Sequence, residues 1–365
     1  MRSTGSICYE DHSTSFFKMP AELLVPEPTR LRLAKYLYAL QTGSVTPGAY
    51  LKRRLHDDSL KTLNADVLLD RLIATKIPRL YAESEVAGDG SDWNQIELGL
   101  LGDLSVAVPV TVFDDGRHTA PTVHPEPFQA ELIFVPGALL RNGQGQTPAD
   151  WAEVTTAVGQ LNSEGFYQLY ERRLLPVFQW IEQKSREKNA RALVTLPGLG
   201  CGQFAGPFAG QLGYHLQEVL QRFLRTQGSS FPSVKAVYYD PFNECDNKRH
   251  SLHGIELLER PLLRGNQSRP QLCPPIAYEE AGDNFAHCHL YSIVAWDPVS
   301  WPGNDFYAGH RATDDGVKAA ATSAMHVITG IEGRYDAERC AYIPPPDYEN
   351  WESVVTRNEL RSCLR

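Results

Sequence analysis

The sequence predicts an α/β fold, a sandwich in which helices cover a sheet, and three observations lead to it. Apolar runs of strand length recur at Ser105 to Phe113, Glu131 to Val135, Ala192 to Leu196, Val234 to Tyr239 and Tyr291 to Ala295. Longer stretches with helical spacing alternate with these runs, as layered α/β domains require. Proline, glycine and aspartate mark the joints, as in Asp114-Asp115-Gly116 and Pro197-Gly198.

Taken in order, the residues before Ser105 read as helical. Pro28 to Thr42 follows an extended proline-rich stretch, Pro47 to His56 comes next, and Ala65 to Ile77 carries Val67, Leu68, Leu72 and Ile73 as an apolar stripe. Two strands follow, Ser105 to Phe113 and Glu131 to Val135. Trp151 to Lys188 is largely helical despite Gly159 and Gly165. The strand Ala192 to Leu196 runs into a glycine-rich loop and then a helix with Phe208, Leu212, His215, Leu216, Val219, Leu220 and Phe223 mostly on one face. Val234 to Tyr239 is a strand after Pro232, and Ser268 to Pro275 is a loop. After the strand Tyr291 to Ala295, Pro298, Pro302 and Gly303 forbid a regular element. A helix resumes with Val317, Ala320, Ala321, Ala324 and Ile328 on one face, Thr313 as its N-cap and Asp314 and Asp315 in its first turn. The tail from Cys340, with Pro344-Pro345-Pro346, is extended and then helical around Trp351. The expected division is a helical N-terminal cap or subdomain (1–104), a central α/β domain (105–339) and a C-terminal extension packed on it (340–365).

With 365 residues the chain can bury a substantial core. A net charge of −9 and a pI near 5.7 argue against nucleic acid as a partner. No apolar run reaches spanning length, and Met1-Arg2-Ser3-Thr4-Gly5-Ser6 is not followed by a signal-peptide core, so a soluble chain without a membrane partner is expected. Seven scattered cysteines suggest reduced thiols and a cytoplasmic location, with the nucleus also open. His287-Cys288-His289 has the residue types of metal ligands but lacks a second ligand pair, and no metal site is expected there. A monomer is the expected state.

Two constellations carry candidate chemistry. The segment from Trp296 to Gly316 places Asp297, Asp305, Asp314 and Asp315 with Asn304 between a strand and a helix, where functional groups are commonly displayed. A structural role competes at each position: Asp297 before proline can close an Asx turn, Asn304 and Asp305 can be turn residues, and Asp314 and Asp315 can serve the helix dipole. The second constellation is Pro197-Gly198-Leu199-Gly200-Cys201-Gly202-Gln203-Phe204-Ala205-Gly206, a loop between strand and helix. Such a loop can cradle an anion through backbone N–H groups, or can be a tight turn needing small residues. It lacks P-loop residues and dinucleotide-fingerprint spacing. Cys201 is considered as a nucleophile, with its backbone N–H the favoured contributor.

Together these residues resemble a macrodomain, the α/β fold that binds ADP-ribose. The loop Gly198 to Gly206 resembles the one that cradles the diphosphate and distal ribose. The Asn-Ala-Ala-Asn strand end and Gly-Gly-Gly loop common in macrodomains are missing, and Leu132-Ile133-Phe134-Val135-Pro136-Gly137 leading to Arg141-Asn142-Gly143-Gln144-Gly145-Gln146 stands there instead. The acidic segment is similar to the divergent class typified by the effector MavL, whose members remove ADP-ribose from arginine side chains. The match falls on Asp297, Asp305 and Asp315, and the resemblance covers roughly Ser105 to Thr329. It implies a three-layer α/β/α sandwich with a mixed sheet and a hydrolase acting on mono-ADP-ribosylated arginine of a protein partner. It also implies catalytic roles for Asp297, Asp305 and Asp315. Gly198, Gly200, Cys201, Gly202, Gln203, Phe204, Asn304 and Asp314 would bind ADP-ribose, with Phe204, Tyr239 or Phe242 stacking on adenine. No cofactor is implied. A reader that binds ADP-ribose without cleaving it, a magnesium-dependent hydrolase using Asp305, Asp314 and Asp315, and an interaction scaffold remain alternatives.

Overall fold

A computed structural model describes residues 21–55, 59–80, 92–141 and 145–361. His56 and Asn142 to Gln144, which enter the sequence reading, lie outside these residues. The strands in chain order are β1 (Glu22–Leu24), β2 (Ser105–Asp114), β3 (Val123–Pro136), β4 (Arg191–Pro197), β5 (Val234–Asp240), β6 (Lys248–Leu252), β7 (Ile255–Glu259) and β8 (Cys288–Trp296). They form one sheet in the order β1-β2-β3-β8-β4-β5-β7-β6. β3, β8, β4, β5 and β7 run parallel, and antiparallel neighbours close both edges. The sheet is therefore mixed, with the apolar runs of the sequence at its buried centre.

Helices cover both faces, α1 to α10 being Glu27–Gln41, Ala49–Arg54, Ala65–Ile73, Gln95–Leu101, Trp151–Val154, Ser163–Glu187, Leu212–Gln227, Asp314–Ala321, Ala324–Thr329 and Trp351–Arg357. Strand alternation sends Ile133, Val135, Val194 and Val237 to one face, where they meet Leu174 and Phe178 of α6 and Leu216 and Phe223 of α7. Leu132, Phe134, Leu193 and Val294 point the other way, into a cluster shared by α1, α3, α4, α8, α9 and α10. The N-terminal helices thus share one core with the helices behind the acidic segment, and β1 adds to the sheet by pairing with β2. The C-terminal stretch adds the hairpin β9 (Arg334–Asp336) and β10 (Ala341–Ile343) and then α10.

Several elements depart from the sequence reading for local reasons. β3 starts at Val123, before Pro125 and Pro127, because β8 joins it only from Ala130 and its first half lies on an edge that tolerates proline. The expected helix Trp151 to Lys188 is broken between α5 and α6, where Thr155 and Leu161 form a bridge and Gly159 takes φ 76°. The expected helix from Val317 to Ile328 is split because Ser323 exchanges bonds with β2, its N–H donating to Thr111 O at 3.0 Å and its hydroxyl accepting from Thr111 N at 2.9 Å. The hairpin β6–β7 turns on His253-Gly254, both at positive φ, a two-residue turn whose histidine hides the usual signal.

Behind the carboxyl end of β3 lies Arg173 of α6, fully buried. Its Nη2 donates to both carboxylate oxygens of Asp150 at 2.9 Å, its Nε approaches Asp103 at 3.4 Å, and its Nη1 donates to Gly137 O at 2.9 Å and Pro136 O at 3.3 Å. Asp103 also receives Thr29, Arg32 and Arg172, so α1 is tied to the same charge cluster. Removing only the guanidinium would leave the buried carboxylate of Asp150 without its cation, while Asp103 keeps Arg32 and Arg172. Arg173→Met is expected to cost roughly 3–5 kcal/mol in urea unfolding, and an unchanged midpoint would contradict this.

Candidate functional site

The central sheet opens at its carboxyl end. β8 stays paired with β3 as far as Trp296, whereas its pairing with β4 stops at Thr195 and Ser292 while β4 continues along β5 to Asp240. A parting between parallel strands at this end makes a crevice of the kind that α/β folds use for ligands. The freed Ala295 N–H donates to Asp314 Oδ2 at 2.8 Å. Asp314 is paired at 3.1 Å with Lys318, whose buried ammonium also donates to Ile293 O at 2.6 Å and Gln271 Oε1 at 2.8 Å. Asp240, at the end of β5, receives Leu262 N at 2.8 Å, Phe242 N at 2.9 Å and Gln271 at 3.4 Å, and burial raises its pKa. A buried polar network therefore lines the parting. Gln271, Lys318 and Asp240 escaped the sequence reading because they come from three distant segments.

The acidic segment folds around one threonine. Thr313 N-caps α8 as its position predicts, and its hydroxyl lies 2.6 Å from Asp305 Oδ1 and 2.6 Å from Asp315 Oδ1. Asp305 Oδ2 receives the N–H groups of Ala312 at 2.8 Å and Thr313 at 3.0 Å. A Cβ on Gly316 would fall 1.6 Å from Asp305 Oδ1, so only glycine lets this carboxylate close on the helix start. Asp315 is 3% exposed and its Oδ2 is buried without a partner. Burial, reinforced by the charges of Asp297, Asp305 and Asp314, raises its pKa well above the carboxylate range. One hydroxyl has a single proton to give. Both short contacts are satisfied together when Asp315 carries a proton and donates to Thr313 while Thr313 donates to half-buried Asp305.

Asp297 takes the structural role that the sequence reading kept open. Its Oδ1 accepts from Val299 N at 2.8 Å and Ser300 N at 2.7 Å, and its Oδ2 from the Ser300 hydroxyl, closing an Asx turn at the end of β8. It also faces the buried Lys76, which lies 4.1 Å over the Trp296 ring and donates to Pro298 O. Burial pushes this ammonium down to about 7, with Asp297 opposing the shift. Residues 76–80 run beside the acidic loop. Ile77 N donates to Val299 O at 3.0 Å, Trp301 N to Ile77 O at 2.7 Å and Leu80 N to Asn304 Oδ1 at 2.7 Å. The Asn304 oxygen, expected to face a ligand, is thus engaged in holding this strap.

The glycine loop sits at the neighbouring strand ends. Gly200 has φ 71°, and a Cβ there would meet Ala138 N at 2.8 Å; a Cβ on Gly137 would lie 2.2 Å from Gly200 N. Gly137 N in turn donates to Trp296 O at 3.2 Å, so this residue joins the glycine loop to the start of the acidic segment. Tyr170 fixes the loop from below, its hydroxyl donating to Leu199 O at 2.5 Å and accepting from Ala138 N at 3.1 Å. Gly202 and Gln203 form the exposed rim, Gly198 packs on Cys201, and Phe204 is half-buried against the core. Two expectations are corrected. Cys201 N–H is spent on Gly198 O at 3.1 Å and burial raises its thiol well above the usual range, which suits neither anion binding by that N–H nor nucleophilic attack. The following helix starts at Leu212, after a 3-10 turn over Gln203–Phe208, and Gly213 N donates to Glu244 at 2.5 Å, so a carboxylate already occupies its start. Of the three candidate aromatics, Tyr239 is buried and bonded to Gly213 O at 2.8 Å, whereas Phe242 is 56% exposed with φ 63°. Only an imposed turn keeps a bulky residue in that region.

The family model described as the macrodomain effector MavL matches residues 21–348, and the chain belongs to that family. The fold is accordingly a macrodomain-like sandwich, and the match begins well before Ser105, taking in the N-terminal helices and the strap. No curated protein matches the chain. Membership suggests a function connected with ADP-ribose, by binding or hydrolysis. Among the described residues, no group of three His, Cys, Asp or Glu side chains is arranged to hold a metal ion, and no helix is long and apolar enough to cross a membrane.

The raised pKa of Asp315 has a signed consequence. A carboxyl held above its unfolded value stabilises the fold while protonated, and that contribution is lost as pH rises through the folded-state pKa. Asp315→Asn cannot deprotonate, so its urea midpoint is expected to fall less than that of the parent as pH rises above the ordinary carboxylate range. Parallel midpoint curves would show that Asp315 is charged throughout.

Proposed function

We propose that this member of the MavL macrodomain family hydrolyses the N-glycosidic bond between ADP-ribose and an arginine side chain of a modified protein. The observation that carries the reading is the pair Asp305 and Asp315 on one threonine hydroxyl, 2.6 Å from each. Two carboxyl groups in unlike surroundings, one buried and favouring its proton, the other half-exposed, are the raw material of acid–base chemistry. The pair follows the end of β8, the neighbour of β4, whose own end carries the glycine loop with its exposed rim.

In this reading the glycine loop holds the diphosphate, and exposed Phe242 rather than buried Tyr239 stacks on adenine. The C1–N bond of the distal ribose breaks with oxocarbenium character, and the guanidine leaves with the bonding pair. Water adds to the same carbon and gives a proton to Asp305, which passes it to the departing guanidine. Asp315, neutral beneath Thr313, keeps the charge of the pair on the outer carboxylate. Asp297 acts by holding the turn. An aligned carboxylate also accepts a guanidinium in bidentate fashion, which supports arginine linkage over serine or glutamate. No cofactor is required in this scheme, and ADP-ribose is the product.

The internal bonds of Asp305 also favour a second reading, in which the chain binds ADP-ribose without cleaving it and the carboxylates only order the loop. A peptide carrying mono-ADP-ribose on arginine, beside serine-linked and glutamate-linked versions, separates the two when free ADP-ribose is measured by mass spectrometry with and without chelator. Release from the arginine peptide alone is expected, unaffected by chelator. Tight ADP-ribose binding without release from any peptide would establish the second reading. Asp305→Ala should lower turnover by about 10²–10⁴-fold while retaining ADP-ribose affinity by calorimetry; full activity in that variant would sink the assignment.

A further inference from the structure

On the far side of the strap from the acidic loop lies a cavity of about 310 Å³, lined by Tyr50, Arg53, Arg54, Thr75 and Ile77. The same Ile77 bridges Ser300 at the start of the acidic loop, so the strap takes part in both places. Arg53 lies 4.4 Å over the Tyr50 ring, which is itself edge-on to Trp93 at 4.4 Å. Among the described residues neither Arg53 nor Arg54 has a carboxylate partner, and Arg54 has no partner of any kind. Among the described residues the cavity walls carry two guanidiniums, a threonine, an aromatic ring and no acidic residue.

We propose that this cavity is a docking site for an acidic segment of the modified protein, placing that protein beside the acidic loop. The proposal rests on the reading that the chain acts on a protein carrying ADP-ribose. Guanidiniums fit carboxylates in a bidentate geometry, and two of them without a carboxylate partner among the described residues favour an oxyanion from outside. Both arginines are exposed at the end of a short helix, so a small free anion would remain mostly solvated there. A carboxylate presented from a second protein surface is covered by that surface. Tyr50 and Ile77 offer the apolar wall that such a side chain would rest on. The cavity is distinct from the glycine loop, which belongs to the end of β4.

The test is fluorescence anisotropy with a labelled oligoglutamate peptide, on the full chain and on R53E/R54E, whose fold is checked by circular dichroism and ADP-ribose affinity. The parent should bind the peptide in a salt-dependent manner, and the variant roughly tenfold or more weakly with unchanged ADP-ribose affinity. Equal binding by parent and variant, or none by the parent, would overturn the proposal. Stronger competition by inorganic pyrophosphate than by the unlabelled peptide would also overturn it, in favour of a free phosphate ligand. In the activity arm, R53E/R54E should raise KM for the modified protein and leave turnover of free ADP-ribosyl-arginine unchanged. Absence of turnover by the parent on either substrate would sink the hydrolase reading alone, because the anisotropy result stands without it.

Discussion

The guanidinium of Arg173 is the interaction on which the arrangement of the site depends. Deep in α6, it takes the carbonyls of Pro136 and Gly137 at the end of β3 while Asp103 and Asp150 balance its charge. Gly137 then touches both neighbours, its N–H reaching the last residue of β8 and its bare Cα lying against Gly200. Three strand ends are thereby brought to one place by a charge that never meets solvent. A buried ion cluster is weak evidence for stability, but it is well suited to fixing backbone positions.

The acidic residues divide their work in a way that their types alone do not disclose. Asp297 is consumed by the turn after β8, and Asp314 repairs the hydrogen bond that β8 loses where it leaves β4. Asp305 and Asp315 meet on Thr313, where a shortage of donors favours a proton on buried Asp315. What distinguishes Asp305 and Asp315 from Asp297 and Asp314 is the bonding left over. Asp315 retains a buried oxygen without a partner, and Asp305 keeps partial exposure. Both kinds of carboxylate are needed, since the turn and the strand repair hold the loop in which the pair sits.

Much of the fold was legible because parallel strands buried on both faces leave continuous apolar runs, as in Ala192 to Leu196 and Tyr291 to Ala295. Thr313 as a helix cap and the Asx turn at Asp297 were also readable, being local geometry of single residues. What escaped depends on segments meeting across the chain. Lys318, Gln271 and Asp240 converge from α8, a loop and β5, and nothing in their neighbours marks them. The strap at 76–80 looked like the end of a helix, since Ile77 fits the apolar stripe of α3; its pairing with Val299 and Trp301 draws it away. Glu244 closing the start of α7 was likewise invisible, which is why the glycine loop read as leading straight into a helix.

The strap has a consequence for how the molecule assembles. Lys76 and Pro298 lie 222 positions apart, and Leu80 and Asn304 lie 224 apart, so the acidic loop acquires its shape only when two remote stretches of chain have met. Contacts of such long range are gained late, because a large loop must close before they reward it. The central strands and α6 and α7 can form from nearer neighbours, as the parallel pairing of β4 with β5 shows. A partly folded chain would thus present a formed glycine loop beside an unformed acidic one. The two loops would take shape in that order during folding, and local opening of the native state would lose them in reverse.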